Sequence, residues 1–407
     1  MRMKFNKSGQ LLLVSAACLL VAGLLTACGT LTVDYVFVTS SKAAGPNNYG
    51  EVDVFEVNSE SGFMRQIPTS PFPSGGRDPV AEAVSSDATN LYVVNRDDNT
   101  IVQFIIGHDG KLYPQNTVNT PGVFPIAVAV GGSNLFVADT YQPLPTCSPA
   151  APCSGSVAVF PIGAASGSTH SGLLGSPAAN GSLDYWPLAL AGNSASDVLV
   201  PTAIAALASG GDVYVTAYDS SVSPNAGYIF GFSVGSGGAL TPLNGGAPFA
   251  AGTFPSAIAS DPSGSYLYVT DKANGNVLGY AVNGGLLSPL AGSPFPAGDQ
   301  PSSVAVNPKY PYVYVANFQD STVTAYSTSN GALTRLGSYT TGLQPVAVGI
   351  DPSTNYFLYT ANFLGNSLSG FQLSTSAGTL INSQNSPYPS NAQPTAVAAI
   401  PHGVSNK

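Results

Sequence analysis

Seven short runs of β-branched and aromatic residues recur along the chain, each ending on Asn, Asp, Ser or another small residue. They are Val36-Phe37-Val38-Thr39-Ser40, Leu91-Tyr92-Val93-Val94-Asn95, Leu135-Phe136-Val137-Ala138-Asp139 and Val213-Tyr214-Val215-Thr216-Ala217. Leu267-Tyr268-Val269-Thr270-Asp271, Val313-Tyr314-Val315-Ala316-Asn317 and Leu358-Tyr359-Thr360-Ala361-Asn362 complete the set. Such runs predict strands. Counted from the second residue of each, the steps are 55, 44, 78, 54, 46 and 45 residues. Each unit reads as four strands. Strand a follows a proline, as in Pro301-Ser302-Ser303-Val304-Ala305-Val306, and turns through a Pro- and Gly-rich tetrapeptide such as Asp261-Pro262-Ser263-Gly264. Strand b is the recurring run. Strand c is short and alternating, as in Val323-Thr324-Ala325-Tyr326, and strand d closes on a small-Pro-aromatic element such as Ser293-Pro294-Phe295.

A period near 45 residues with several short strands per unit predicts an all-β, seven-bladed β-propeller, because a single blade cannot bury its own apolar faces. The first unit begins at strand b, near Val33, with no strand a before it. The last is followed by a surplus strand a, Pro394-Thr395-Ala396-Val397-Ala398-Ala399-Ile400. The two chain ends therefore complete one four-stranded blade between them, a velcro closure, where an open solenoid would leave two bare sheet edges. The propeller is expected over residues 33–400 as one domain, with a tail at 401–407.

Composition supports sheets over disorder. The 407 residues include 45 Gly and 33 Pro, but 44% are hydrophobic and 20 are Tyr, so Gly and Pro serve as turn punctuation. Charged residues are 8%, and the net charge is −9. No basic stripe interrupts this acidic chain, which sets nucleic-acid binding aside.

Residues 1–27 read as a sorting signal. Arg2, Lys4 and Lys7 precede an apolar stretch from Leu11 to Leu25. As a helix, that stretch would span about 22 Å, short of a bilayer core of about 30 Å. Its end, Leu25-Thr26-Ala27-Cys28-Gly29, resembles the lipobox of bacterial lipoproteins. The resemblance implies lipidation of Cys28, a tether over 28–32 and a lipid-anchored protein of the cell envelope. Removing 1–27 would take away three basic and no acidic side chains, making the net charge −12. Cys147 and Cys153 bracket a Pro-rich loop, and in an oxidising compartment they are expected to form a disulfide.

The b–c and d–a connections of a propeller share one face, and candidate chemistry gathers there. Arg77, Asp78, Arg96, Asp97, Asp98, Asp139, Tyr218, Asp219, Asp271 and Lys272 belong to it, with Phe318, Gln319, Asp320 and Phe363. Phe124, Phe254, Gln300, Gln344 and Gln393 precede the inner strands. A rim rich in aromatic and amide groups suits a small polar ligand, a sugar or a peptide. Two insertions in the 78-residue step, the Cys147–Cys153 loop and a d–a connection near 175–201 carrying Tyr185 and Trp186, are expected to overhang the same face. The competing reading of each strand-ending Asn or Asp is an Asx-turn. No cofactor is required, although Asp139, Asp219 and Asp271 leave a divalent cation open. His108 sits in a c–d turn, His170 in an insertion and His402 in the tail, so a Ser-His-Asp triad has no base at the rim.

Leu267-Tyr268-Val269-Thr270, Val313-Tyr314-Val315-Ala316-Asn317 and their Pro-led inner strands resemble the YVTN-type propeller. They resemble equally the seven-bladed lactonase family that includes 6-phosphogluconolactonases, over about residues 33–400. Lactonase members commonly carry Pro-His at the start of an inner strand, where this chain has Pro255-Ser256, Pro301-Ser302, Pro345-Val346 and Pro394-Thr395. The expectation is a monomeric, lipid-anchored propeller that binds a ligand or an envelope protein on its loop-rich face. The alternative is a lactone hydrolase that activates water through a rim carboxylate or a metal.

Overall fold

The structure, a computed structural model, describes residues 31–41, 46–164, 171–190, 197–391 and 393–403. The leader 1–27, Cys28, His170 and the end of the tail lie outside these residues. Seven antiparallel sheets follow one another along the chain, each ordered a-b-c-d from the inside outward. Blade 1 takes its inner strand from the C-terminus, Pro394–Pro401, and continues with Thr32–Ser40, Glu51–Asn58 and Met64–Gln66. Blade 2 is built from Pro79–Val84, Asn90–Asn95, Thr100–Ile106 and Leu112–Asn119. Strand a opens with Val123–Gly131, Leu199–Ala206, Pro255–Ser260, Pro301–Val306 and Pro345–Ile350 in blades 3 to 7. Each inner strand contacts the next, and the last contacts the first, so the ring is closed.

The velcro is therefore real. Tyr35 pairs with Ile400, Phe37 with Ala398 and Thr39 with Ala396. The small-Pro-aromatic elements, including Phe72–Pro73, Phe295–Pro296 and Tyr388–Pro389, extend the outer edge of their blades against strand c.

Burial explains the sequence pattern strand by strand. Strand b lies mid-sheet with a neighbouring blade on both faces, so Asn90–Asn95, Tyr312–Asn317 and Phe357–Asn362 are buried along their whole length. Such a strand reads as a continuous apolar run and shows no alternation. Strand d is outermost and exposed at most positions, as in Ala332–Thr340. Full burial of one Val, Leu or Phe side chain contributes about 1.5–3 kcal/mol, so the ring draws most of its cohesion from the stacked b and c strands.

The second residue of strand b is usually Tyr for a further reason. Four of these hydroxyls cross to the next blade and donate to the carbonyl of a buried glycine in its c–d turn. Tyr92 reaches Gly172 (2.7 Å), Tyr214 reaches Gly285 (3.0 Å), Tyr268 reaches Gly331 (2.9 Å) and Tyr314 reaches Gly378 (3.1 Å). The repeat thus encodes a latch between consecutive blades.

Candidate functional site

All seven inner strands carry a β-bulge at one place, the residue after the proline that leads them. Pairing skips Val80, Ile126, Thr202, Ser256, Ser302, Val346 and Thr395. A bulge re-aims its side chain and bends the strand, and proline fits a ladder where pairing is broken. Just before the proline, Asp78, Phe124, Gln300, Gln344 and Gln393 have φ between 50° and 60°. Non-glycine residues there are strained, and such strain persists only where the surroundings enforce it. The face bearing the b–c and d–a loops thus ends in a ring of seven bulges, five preceded by a left-handed residue. This ring is the mouth of the propeller.

Three bulge hydroxyls knit the mouth together. Ser256 donates to the Pro301 carbonyl (2.6 Å), Ser302 to Pro345 (2.7 Å) and Thr395 to Pro79 (2.9 Å), each across a blade junction. These are positions where the family resemblance leads one to look for histidine. Here the side chains are spent on the ring itself.

The Asp and Asn residues that end strand b have a different job from the one expected. Three of them, Asp219, Asp271 and Asn317, accept N–H groups of the d–a loop entering the same blade, well upstream, in addition to any turn of their own. Asp271 accepts from Thr253 and Phe254 (both 3.0 Å), and Asn317 from Gly298 (2.9 Å). Asp219 takes Ser221 (2.9 Å) and Val198 (3.4 Å). Glycine in the loop makes room: a Cβ on Gly252 would fall 2.0 Å from the Asp271 carboxylate. Asp139, Asp219 and Asp271 are 0%, 3% and 1% exposed. Asp219 and Asp271 therefore clip their own blades, the Asp139 oxygens are buried without a hydrogen bond of good geometry, and the three do not converge. Among the described residues no group of three or more His, Cys, Asp or Glu could hold a metal ion. Burial pushes the Asp139 carboxyl up to about 7, against the Thr120 hydroxyl and the Gly122 N–H.

The remaining candidates divide around the rim. Blade 2 supplies a charged cluster in which Arg96 pairs with Asp78 and Asp97, and Arg77 with Asp98 (2.5 Å). Burial raises the Asp78 pKa, opposed by Arg96. Blades 3 to 5 supply rings: Phe124 meets Tyr141 edge-on at 6.1 Å, and Tyr218 stacks on Phe254 at 4.3 Å. Lys272 lies 5.0 Å above the Phe318 ring and has no carboxylate partner among the described residues. Gln300, Gln344 and Gln393, from blades 6, 7 and 1, form an arc facing the aromatic one, with half-buried Phe363 beside it. The Cys147–Cys153 disulfide is present in the b–c loop of blade 3.

Trp186 is not part of this rim. Trp186–Pro187 pairs with Ser156 and Val157 as the outer strand of blade 3, and the indole, 5% exposed, packs among Val159, Leu199 and Phe230. Its Nε1 donates to the Leu240 carbonyl at 3.0 Å. Burial of that large ring between blades 3 and 4 outweighs what looked like an exposed insertion. His108 and His402 also lie away from the mouth, around Tyr35: its hydroxyl donates to the His108 carbonyl, and its ring lies 5.5 Å from the His402 imidazole.

Concavities occur elsewhere too. One of about 470 Å³ on the opposite face, beside Tyr266 and Lys309, is framed by Asp261 and Asn307, whose carboxylate and amide oxygens are taken by turn N–H groups. Another, of about 290 Å³ between blades 3 and 4, is lined by uncharged residues including Phe230 and Leu243. The first also brings together Asp261, Lys309, four tyrosines and two asparagines, but its Asp261 and Asn307 oxygens are spent on their own turns; the second holds no charged group.

A closed seven-bladed ring with a bulged, strained mouth is the architecture these observations define. The chain belongs to the lactonase family of 7-bladed beta-propellers, whose model matches residues 48–167, 212–345 and 293–402. Among solved structures it is similar to a putative 6-phosphogluconolactonase of Bacteroides fragilis, at 19% identity and TM-score 0.71, covering 91% of this chain and 99% of that one. It is similar also to the periplasmic gluconolactonase of Pseudomonas aeruginosa, at 17% identity and TM-score 0.67, covering 91% and 99%. A search of curated proteins finds no match.

Proposed function

We propose that this propeller is exported, anchored through a lipidated Cys28, and binds a small polyhydroxylated ligand at the mouth of its ring. One observation carries the reading: strained pre-proline residues, an aromatic arc, an amide arc and Lys272, which has no carboxylate partner among the described residues, converge on a single bulged rim. Aromatic faces suit the apolar side of a sugar ring, and amides suit its hydroxyls. Titration calorimetry with a panel of aldonolactones and aldonic acids tests it. Saturable binding lost in Phe254→Ala and Lys272→Ala supports the reading, and no binding to any member defeats it.

A second reading, lactone hydrolysis, is favoured by family membership and by Asp78. That carboxyl stands at the mouth, its pKa raised by burial, with Arg96 beside it. Water deprotonated by Asp78 would attack the lactone carbonyl, the ring C–O bond would break, and a hydroxy acid would leave. Hydrolysis that falls at least about a hundredfold in Asp78→Asn, with and without EDTA, would favour this reading over binding alone.

A further inference from the structure

Blade 7 meets the mouth with a surface unlike its neighbours'. In blades 2, 6 and 7 the b–c loop docks on the d–a loop through the same two backbone rungs. The N–H groups of Arg96, Phe318 and Phe363 donate to the carbonyls of Asp78, Gln300 and Gln344, each at 2.9 Å. One step further out, Asp97 N–H donates to Arg77 (3.3 Å), Gln319 to Asp299 (3.3 Å) and Gly365 to Leu343 (3.0 Å). These rungs set an outer residue of one loop beside an outer residue of the other. The pair is Arg77 and Asp97 in blade 2, Asp299 and Gln319 in blade 6, and Leu343 and Leu364 in blade 7.

Leu343 is 61% exposed and Leu364 53%. The rungs close in blades 2 and 6 with polar side chains, so the fold does not require leucine at either place. Residues 341–344 and 362–367, which make up this edge of the mouth, include no charged residue. One exposed leucine is unremarkable. Two that the backbone brings together, directly flanking Gln344 and Phe363, form an apolar step at the edge of the amide arc.

The step is held rigidly. A Cβ on Gly342 would fall 2.6 Å from the Asn362 amide nitrogen, and one on Gly365 would fall 2.9 Å from the Leu343 backbone nitrogen, so the two loops touch at glycine. Gly342 N–H donates to the Ser369 hydroxyl at 2.9 Å, and Gln344 N–H to the Ser321 hydroxyl of blade 6 at 3.2 Å. Both leucines therefore stand on backbone that is ordered before anything binds, which removes most of the ordering cost of a contact made there. Size then selects the occupant. A stable protein interface takes about 20–30 residues a side, far more than this step offers. A single hydrocarbon chain needs no more than two such side chains to lie on.

We propose that the ligand of the mouth is an amphiphile, a polyhydroxy acid or lactone carrying an alkyl or acyl chain. Its polar head lies among the amide groups that include Gln344, and its chain leaves the mouth across Leu343 and Leu364. This rests on the mouth being the binding site, and it adds the class of ligand the site takes. A fully buried methylene raises affinity about fourfold. A chain lying on an open step is buried on one side only, so the gain per methylene is smaller.

Titration calorimetry of the full-length protein with N-methyl, N-butyl and N-hexyl gluconamide, each below its aggregation limit, tests the step. The hexyl compound should bind about tenfold or more tightly than the methyl one. Leu343→Ser with Leu364→Ser should bring that ratio close to one, and Leu364→Ser alone should lower it in part, so either variant decides. Ile381→Ser, which removes an equally exposed side chain (64%) from the outer strand of blade 7, should leave the ratio as in wild type. Methyl and hexyl compounds bound equally by the wild type would overturn the amphiphile while leaving the mouth as a sugar site. A ratio that survives the double variant would overturn it too, because the chain would then lie elsewhere. No binding of any member would remove both the step and the mouth reading beneath it.

Discussion

Replacing Tyr314 by Phe removes one oxygen and nothing else, so it isolates the latch between blades 6 and 7. The Oη–Gly378 contact is 3.1 Å and buried at both ends. Its loss leaves the Gly378 carbonyl without that donor, which costs about 1–3 kcal/mol, more than the bond's net contribution of about 0.5–1.5 kcal/mol. Tyr268→Phe and Tyr92→Phe should cost the same for the same reason. Tyr359→Phe should not, because its hydroxyl holds no glycine carbonyl and makes no hydrogen bond of good geometry. Thermal unfolding followed by near-UV circular dichroism would place the first three a few degrees below wild type and Tyr359→Phe at or above it. Equal losses in all four would show that the hydroxyls act through something other than the glycine latch.

Deleting residues 394–407 removes the whole inner strand of blade 1. Ile400 alone, 1% exposed, contributes about 1.5–3 kcal/mol by its burial, so Tm should drop sharply; an unchanged unfolding curve would contradict the closure. Replacing both Cys147 and Cys153 by Ser should leave the fold intact, since so short a loop gains at most about 2–3 kcal/mol, while altering ligand affinity at the overhung mouth. Two free thiols in protein from an oxidising compartment would refute the bond. Only Gly29 to Leu31 separate a lipidated Cys28 from a first strand that starts on the face opposite the mouth, a reach of about 10–11 Å. Lys309, on that face, should therefore be shielded from labelling on intact vesicles, and labelling as rapid as in the 140–155 loop would reverse the orientation.

The architecture was legible because strand b is buried on both faces, and the runs around Tyr268, Tyr314 and Tyr359 could repeat only as blades. The missing strand before Val33 and the surplus one after Pro394 were equally plain, since strand count survives any uncertainty in loops. The bulges were not visible. Nothing in Pro255-Ser256 or Pro394-Thr395 distinguishes a skipped residue from a paired one, and only the register reveals that all seven prolines precede one. Asp271 and Asn317 had the composition of turn residues, and their long-range N–H partners depend on where the d–a loop returns. Trp186 was misplaced because a two-residue strand beside a long connection has no periodicity to read.

The reading that the mouth is the binding site is most directly tested by titrating one responsive aldonolactone or aldonate against Phe254→Ala, Lys272→Ala and Gln344→Ala, with Lys309→Ala from the opposite face as control. The three mouth variants should keep the wild-type Tm and weaken binding about tenfold or more, a loss of about 1.4 kcal/mol each, while Lys309→Ala binds as wild type does. Unchanged affinity in all three mouth variants, or a loss confined to Lys309→Ala, would contradict it.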